Sequence, residues 1–334
     1  MKTLLITGAG GFLGGHLAKY FFESGWRVYG LGRSSCPVNT KPCLHRYHTG
    51  ELPGDESKTF IDSIKPDVVI HAAGASLVSR SLAEPYEDFA ATVPATMFLL
   101  EALQKSVPRA KLLYLSSAAV YGNPTELPVK ETAEVKPLSP YGYHKYLCEI
   151  LCREFNNVYG LQTSVLRIFS GYGEGLHKQV LWDVCEKLQQ SQTLELFGTG
   201  DETRDFIHAE DIAAAALYCL NMPSPAMQTF NAGSGTATSI RRIAELLASH
   251  LRPDAKIRFN SETMSGYPIH WQASTDALRQ TGYEPRVNLE AGISRYAAWY
   301  SAQRGAAMLS GVKSTGEMQT APSRNFSVSP GLNG

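Results

Sequence analysis

The chain has 334 residues, 43% apolar and 19% charged, with 31 basic side chains against 31 acidic ones. That length and balance suit one large globular domain or two lobes and exclude a disordered chain. A formal net charge of +0 gives no global attraction to nucleic acid or an anionic membrane, and no run approaches the roughly 18 apolar residues of a membrane span.

In chain order, the opening MKTLLI is an apolar run too short for a secretion signal, and it breaks into glycines. It reads as a strand over Thr3–Thr7, and a cytoplasmic location is expected. Helix-like periodicity follows over Phe12–Ser24, a strand over Arg27–Leu31, a helix over Asp55–Lys65 and a strand over Asp67–His71. A long helix over Leu82–Ser106, a strand over Lys111–Ser116, a helix over Ser139–Tyr159 and a strand over Thr163–Phe169 complete this half. Continuous apolar strands alternating with helices indicate a parallel sheet covered on both faces, and right-handed crossovers make it an α/β, doubly wound (Rossmann) sheet.

Beyond about Ser170 the strands shorten and the loops gain Gly and Pro, while helices are expected over Gln179–Gln190, Asp211–Asn221, Ser239–His250 and Leu289–Ala302. The expected division is a dinucleotide-binding domain over 1–170, to which some later segments return, a smaller mixed α/β substrate lobe over 171–303, and a flexible tail over 304–334. The six cysteines are scattered without a CxxC pair. They read as structural thiols of a reducing compartment, and no metal site is expected.

The turn Gly8-Ala-Gly-Gly11-Phe12-Leu13-Gly14 joins the first strand to the first helix. A dinucleotide pyrophosphate needs backbone amides at a helix N-terminus and a chain that can come within contact distance. Gly8 allows the tight turn, Gly11 the close approach to phosphate, and Gly14 the packing of helix on strand. At the end of the second strand, where an acidic residue would accept from the adenosine ribose, stand Gly32 and Arg33 followed by Ser34 and Ser35. A guanidinium without a carboxylate suits a 2′-phosphate, so NADP(H) is favoured, with NAD as the alternative.

The fifth strand ends LSSAAVYG, and SPYGYHKYLCE opens a later helix. The four-residue spacing puts Tyr141 and Lys145 on one helix face. A tyrosine of pKa about 10 becomes a usable acid/base when an ammonium and an oxidised nicotinamide stand beside it. Ser117, at the carboxyl end of its strand, is positioned to hold a substrate oxygen.

Taken in order, TGAGGFLG, IHAAG, LSSAAVYG, PYGYHK, LRIFSGYGEG, GTGDETRDFIHAEDIA and FNAGSG resemble the extended short-chain dehydrogenases/reductases, in their nucleotide-sugar epimerase/dehydratase/reductase branch, from about Lys2 to Tyr300. The resemblance implies Tyr141 as general acid/base, Lys145 on the nicotinamide ribose and lowering the Tyr141 pKa, and Ser117 on the reacting oxygen. It also implies Ala72 and Ala73 lining the cofactor, Arg204 against the diphosphate of a nucleotide-linked sugar, and a homodimer through a four-helix bundle. Asp211 is expected to cap its helix and His208 to be structural. The chain departs from the family's pattern in three places: Thr92 and Ser170 stand where Asn is usual, and Glu174–Gln179 (EGLHKQ) replaces a Pro-Gly continuation. Ser170, shorter than the Asn it replaces, is expected at the substrate phosphate, and His177 and Lys178 either face the nucleotide or begin a solvated helix. Ala118-Ala119 in place of the Asp-Glu of the 4,6-dehydratases argues against dehydration. Two reactions remain open: an NADPH-dependent 4-keto-sugar reductase, favoured by Arg33, and a 4-epimerase with tightly bound NAD. A non-catalytic NADP(H)-binding protein is a more remote reading.

Overall fold

A computed structural model describes residues 1–222, 226–262, 266 and 268–309. Its first half runs β1 (Thr3–Thr7), α1 (Phe12–Glu23), β2 (Arg27–Gly32), β3 (Arg46–Thr49), α2 (Asp55–Ile64), β4 (Val68–His71), α3 (Val78–Ala83), α4 (Pro85–Ser106), β5 (Lys111–Ser117), α5 (Pro140–Tyr159) and β6 (Gln162–Ile168). There follow β7 (Ser170–Tyr172), α6 (Gln179–Gln190), β8 (Thr193–Leu196), β9 (Thr203–His208), α7 (Ala209–Asn221), β10 (Gln228–Ala232), β11 (Ala237–Ser239), α8 (Ile240–Leu251), β12 (Lys256–Phe259), α9 (Asp276–Arg279) and α10 (Leu289–Leu309).

Seven strands form one parallel sheet in the order β10-β6-β5-β4-β1-β2-β3. Strand order reverses beside β1, which opens a crevice at the carboxyl ends of β1 and β4. The strands are continuously apolar because both faces are covered. Leu4, Ile6, Val68, Ile70, Leu113 and Leu115 pack under α1 and α7, while Leu5, Val69, Leu112 and Tyr114 pack under α2, α4 and α5. The second core, built from α6, α8, α10 and β8, carries a three-stranded sheet β11-β9-β7 and a two-stranded pair β12-β8 at its edge. Two late segments join the first core: β10 pairs with β6, and α7 packs against α1.

Several expected elements differ. The helix anticipated from Leu82 is two helices, α3 and α4, with Glu84 between them at φ −132 and ψ 66. Pro85 drives the preceding residue out of the helical region. Strand β3 was not expected: RYHT is short and only weakly alternating, and it forms the sheet edge. Asp211 does not cap α7. That role falls to His208, whose ring accepts from the Glu210 N–H, while Asp211 accepts from the Arg286 and Val287 N–H groups. Helix α10, expected to end at Ala302, continues to Leu309, and the remainder of the expected tail lies outside the described residues. Among the described residues no helix is long and apolar enough to cross a membrane, and no metal-ligating cluster occurs. All six cysteines are free thiols.

Candidate active site

The glycine turn lies at the crevice. Gly8 takes φ +71, and a side chain there would sit 2.8 Å from the backbone of Ala72 and Ala73. A side chain at Gly14 would sit 2.1 Å from the Gly8 carbonyl, so α1 can lie on the turn only without one. Helix α1 begins at Gly11 with no side-chain cap, leaving its first-turn amides directed at the crevice.

Helix α5 is set by three local features. Ser139 caps it through the Gly142 N–H at 3.3 Å, Pro140 occupies its first turn, and the Ser81 hydroxyl on α3 accepts from the Tyr141 N–H at 3.1 Å. Gly142 lets α5 approach the turn after β5, since a side chain there would meet the Ala119 carbonyl at 2.6 Å. Tyr141 and Ser117 line the same cleft, and the Ser117 oxygen accepts from the Ala119 N–H at 3.1 Å. Lys145 is buried, donates to the Leu115 carbonyl at 3.0 Å, and holds its Nζ 5.8 Å from the Tyr141 ring centroid.

The electrostatics differ from expectation in one respect. Burial pushes the Tyr141 phenol up to about 12; the Ser117 hydroxyl opposes this and the Asp88 charge adds to it. Burial also lowers the Lys145 ammonium from its ordinary value. Within the chain alone, burial therefore decides where the Tyr141 proton sits.

All the expected site residues line one cleft of about 1390 Å³: Gly8, Gly11, Phe12, Leu13, Gly14, Arg33, Ala72, Ala73, Ser117, Tyr141, Lys145, Ser170 and Arg204. The turn, the uncapped helix and the Ala72–Ala73 contact suit the pyrophosphate and its neighbours, and Lys145 suits the nicotinamide ribose. Arg33 is exposed where β2 ends. Arg204 is fixed from behind, donating to the Thr203 carbonyl at 2.8 Å and the Ile269 carbonyl at 3.2 Å and stacking 5.6 Å from the Trp271 ring. Asp205 accepts from Ser234, Gly235 and Ala273, and Asp201 lies 3.8 Å from Arg241. Thr92, at the first departure, accepts from the Ala75 N–H at 3.1 Å and holds the loop after β4.

The EGLHKQ departure resolves into three roles. Glu174 is a structural hub, bonded to His208 at 3.0 Å and to Arg295 at 2.8 Å. His177 packs its ring on Trp182 and Trp299 and does not line the cleft. Lys178 does line it, donating to the Ser76 hydroxyl at 2.6 Å. The sequence reading also missed Glu51, a carboxylate that lines the adenosine end just after β3. Without β3 no signal could have brought it beside Arg33.

The parallel sheet with a glycine turn at its crevice defines a doubly wound, Rossmann-like protein. A family model described as the NAD dependent epimerase/dehydratase family matches residues 4–233, and the chain belongs to that family. It is 30% identical to a Methanocaldococcus jannaschii protein provisionally assigned as a UDP-glucose 4-epimerase, over 89% of this chain and 97% of that one. It is 26% identical to the UDP-glucuronate 4-epimerase of Thermodesulfobacterium geofontis, over 90% and 96%. Among solved structures it is similar to MoeE5 in complex with UDP-glucuronic acid and NAD, with a TM-score of 0.81 at 26% identity, covering 90% of this chain and 99% of that one.

Proposed function

We propose that the chain is a 4-epimerase of a UDP-linked hexose that works with a tightly held NAD. The observation that carries this reading is the convergence of Ser117, Tyr141 and Lys145 with the glycine turn and Arg204 on one uninterrupted cleft. The choice of epimerase over reductase is supported by the activities named for the relatives. When bound, the nicotinamide supplies a reversible hydride acceptor. Ser117 holds the sugar 4-oxygen, and Tyr141 Oη removes its proton and later returns it. Lys145 binds the ribose and favours the phenolate. Arg204 holds the diphosphate, with Ser170 beside it, so that the hexose can turn between the two half-reactions. Hydride and proton leave and return to the same carbon and oxygen, so nothing is oxidised overall.

The second reading, an NADPH-dependent 4-keto-sugar reductase, is favoured by Arg33 and Ser34 lining the adenosine end with no carboxylate on β2. Glu51 at the same end weighs toward an unphosphorylated ribose. The test is the cofactor released from purified protein, combined with turnover of UDP-glucose without added cofactor. Released NAD and interconversion of the 4-epimers are expected. NADPH consumption by a nucleotide 4-keto-6-deoxy sugar, without epimerisation, would overturn the epimerase reading.

A homodimer through α4 and α5 is part of the same proposal. These helices pack side by side, tied by His144 Nδ1 and Asp88 at 2.6 Å. Their outer faces expose Tyr86, Phe89 and Met97 on one helix and Tyr143, Leu147 and Ile150 on the other.

A further inference from the structure

The geometry points to Lys178 as the residue that selects the sugar: held across the cleft by Ser76, it recognises a carboxylate on the hexose, making nucleoside-diphosphate uronic acids the preferred substrate class. The inference rests on the nucleotide-sugar reading above.

Lys178 precedes α6 in the substrate lobe, whereas Ser76 lies five residues past His71, in the loop that leaves β4. Their 2.6 Å bond therefore spans the cleft from one lobe to the other. Strand β4 pairs with β5, which ends on Ser117, and Lys178 lines the same cleft as Ser117, Tyr141 and Lys145. Arg204 lies on β9 in a separate sheet and is the better match to a diphosphate, through its planar fork.

The backbone supports this placement. Gln179, immediately after Lys178, takes φ +67, a left-handed conformation that non-glycine residues seldom keep without a compensating role. No described carboxylate is ion-paired with Lys178, and burial together with the charge of Lys145 holds its ammonium below the ordinary value. Two ammonium groups directed into one space repel each other until an anion enters between them. Lys145 is already committed to the Leu115 carbonyl, while Lys178 has given one of its three donors to Ser76 and keeps two for a ligand. The hydroxyls of a neutral hexose would satisfy those donors without neutralising the charge. A carboxylate does both.

The test compares UDP-glucuronate with UDP-glucose on NAD-loaded protein, in kcat/KM and in calorimetric affinity, for the wild type, Lys178→Met, Lys178→Arg and Ser76→Ala. The wild type is expected to prefer the uronate by about tenfold to a hundredfold, the range of one charged hydrogen bond. Lys178→Met is expected to bring that ratio toward one, with Lys178→Arg keeping most of it and Ser76→Ala losing part. An absence of preference in the wild type, or an equal loss for both sugars in Lys178→Met, would overturn the inference and assign the lysine to the diphosphate. A ratio that survives while the variant sheds its dinucleotide would overturn it in favour of the cofactor. Selective uronate binding without epimerisation would instead leave Lys178 in this role and defeat the epimerase reading.

Discussion

At Tyr141 the surroundings pull in opposite directions on one proton. Burial pushes the phenol up to about 12 and Asp88 reinforces that, while the Ser117 hydroxyl favours the ionised form. Tyr141→Phe should lower kcat by about 10²- to 10⁴-fold with nucleotide-sugar affinity retained, separable by single-turnover kinetics and calorimetry. His71, one residue before the Ala72–Ala73 pair, is bonded to Thr7 at 2.6 Å and Thr96 at 3.1 Å, and burial, aided by the Lys145 charge, pushes it down to about 3. Its folded value lies below the unfolded 6.5, so the unfolded chain binds the extra proton. Its contribution is complete above pH 6.5 and is lost as the pH falls from there toward 3. Denaturant melts should thus show about 2 kcal/mol less stability at pH 5 than at pH 6.5, at about 1.4 kcal/mol per unit. His71→Asn should flatten that slope; an unchanged slope would assign the acid sensitivity to other groups.

At the scale of elements, one buried pair ties α5 to the sheet. Glu149 is on the same face of α5 as Tyr141 and Lys145, and Arg167 on β6 grips it through Nη2 at 2.6 Å and Nε at 3.0 Å. Glu149 also accepts from Ser116, next to Ser117, at 2.5 Å, and Arg167 reaches the Tyr121 hydroxyl at 2.9 Å. Helix α5, strand β5 and strand β6 therefore share one carboxylate. Glu149→Ala leaves the guanidinium buried without its partner and should cost about 3–5 kcal/mol, read as a fall in the urea midpoint. A Glu149→Leu, Arg167→Met double variant should recover most of that stability, because the charge is removed along with its partner.

For the molecule as a whole, the two lobes are joined through the segment where the chain departs from its family's pattern. Arg295 on α10 bridges Glu174 and Glu210, and His16 on α1 reaches the Glu174 carbonyl at 2.8 Å. Burial alone would raise the Glu174 carboxyl, but bonds from His208, the backbone and Arg295 hold it down at about 2. The opposite face of the molecule carries the exposed apolar stripe of α4 and α5. Ile150→Glu places a charge in the middle of that stripe and should convert a dimer into monomers in sedimentation velocity, with the melting temperature of the monomer fold little changed. A wild-type protein that sediments as a monomer would refute the four-helix interface.

The sequence by itself determined the parallel sheet, the glycine turn and the Ser117–Tyr141–Lys145 set. These depend on short-range facts: strand periodicity, a turn that demands bare backbone, and a four-residue helical spacing. The role of Arg204 was legible only through the resemblance, whereas the smaller lobe already showed in the short strands and Gly- and Pro-bearing loops after Ser170. Tertiary structure decided the rest. Glu51 lies beside Arg33 because β3 pairs with β2, and Lys178 meets Ser76 across 102 residues of chain. Asp211 lost its capping role to His208 because the Arg286 and Val287 amides came within reach of its carboxylate. The proton of Tyr141 is set by how deeply α5 is buried against β5. Contacts between distant segments and the burial they create arise only once the chain has closed on itself, so no local pattern of residues records them.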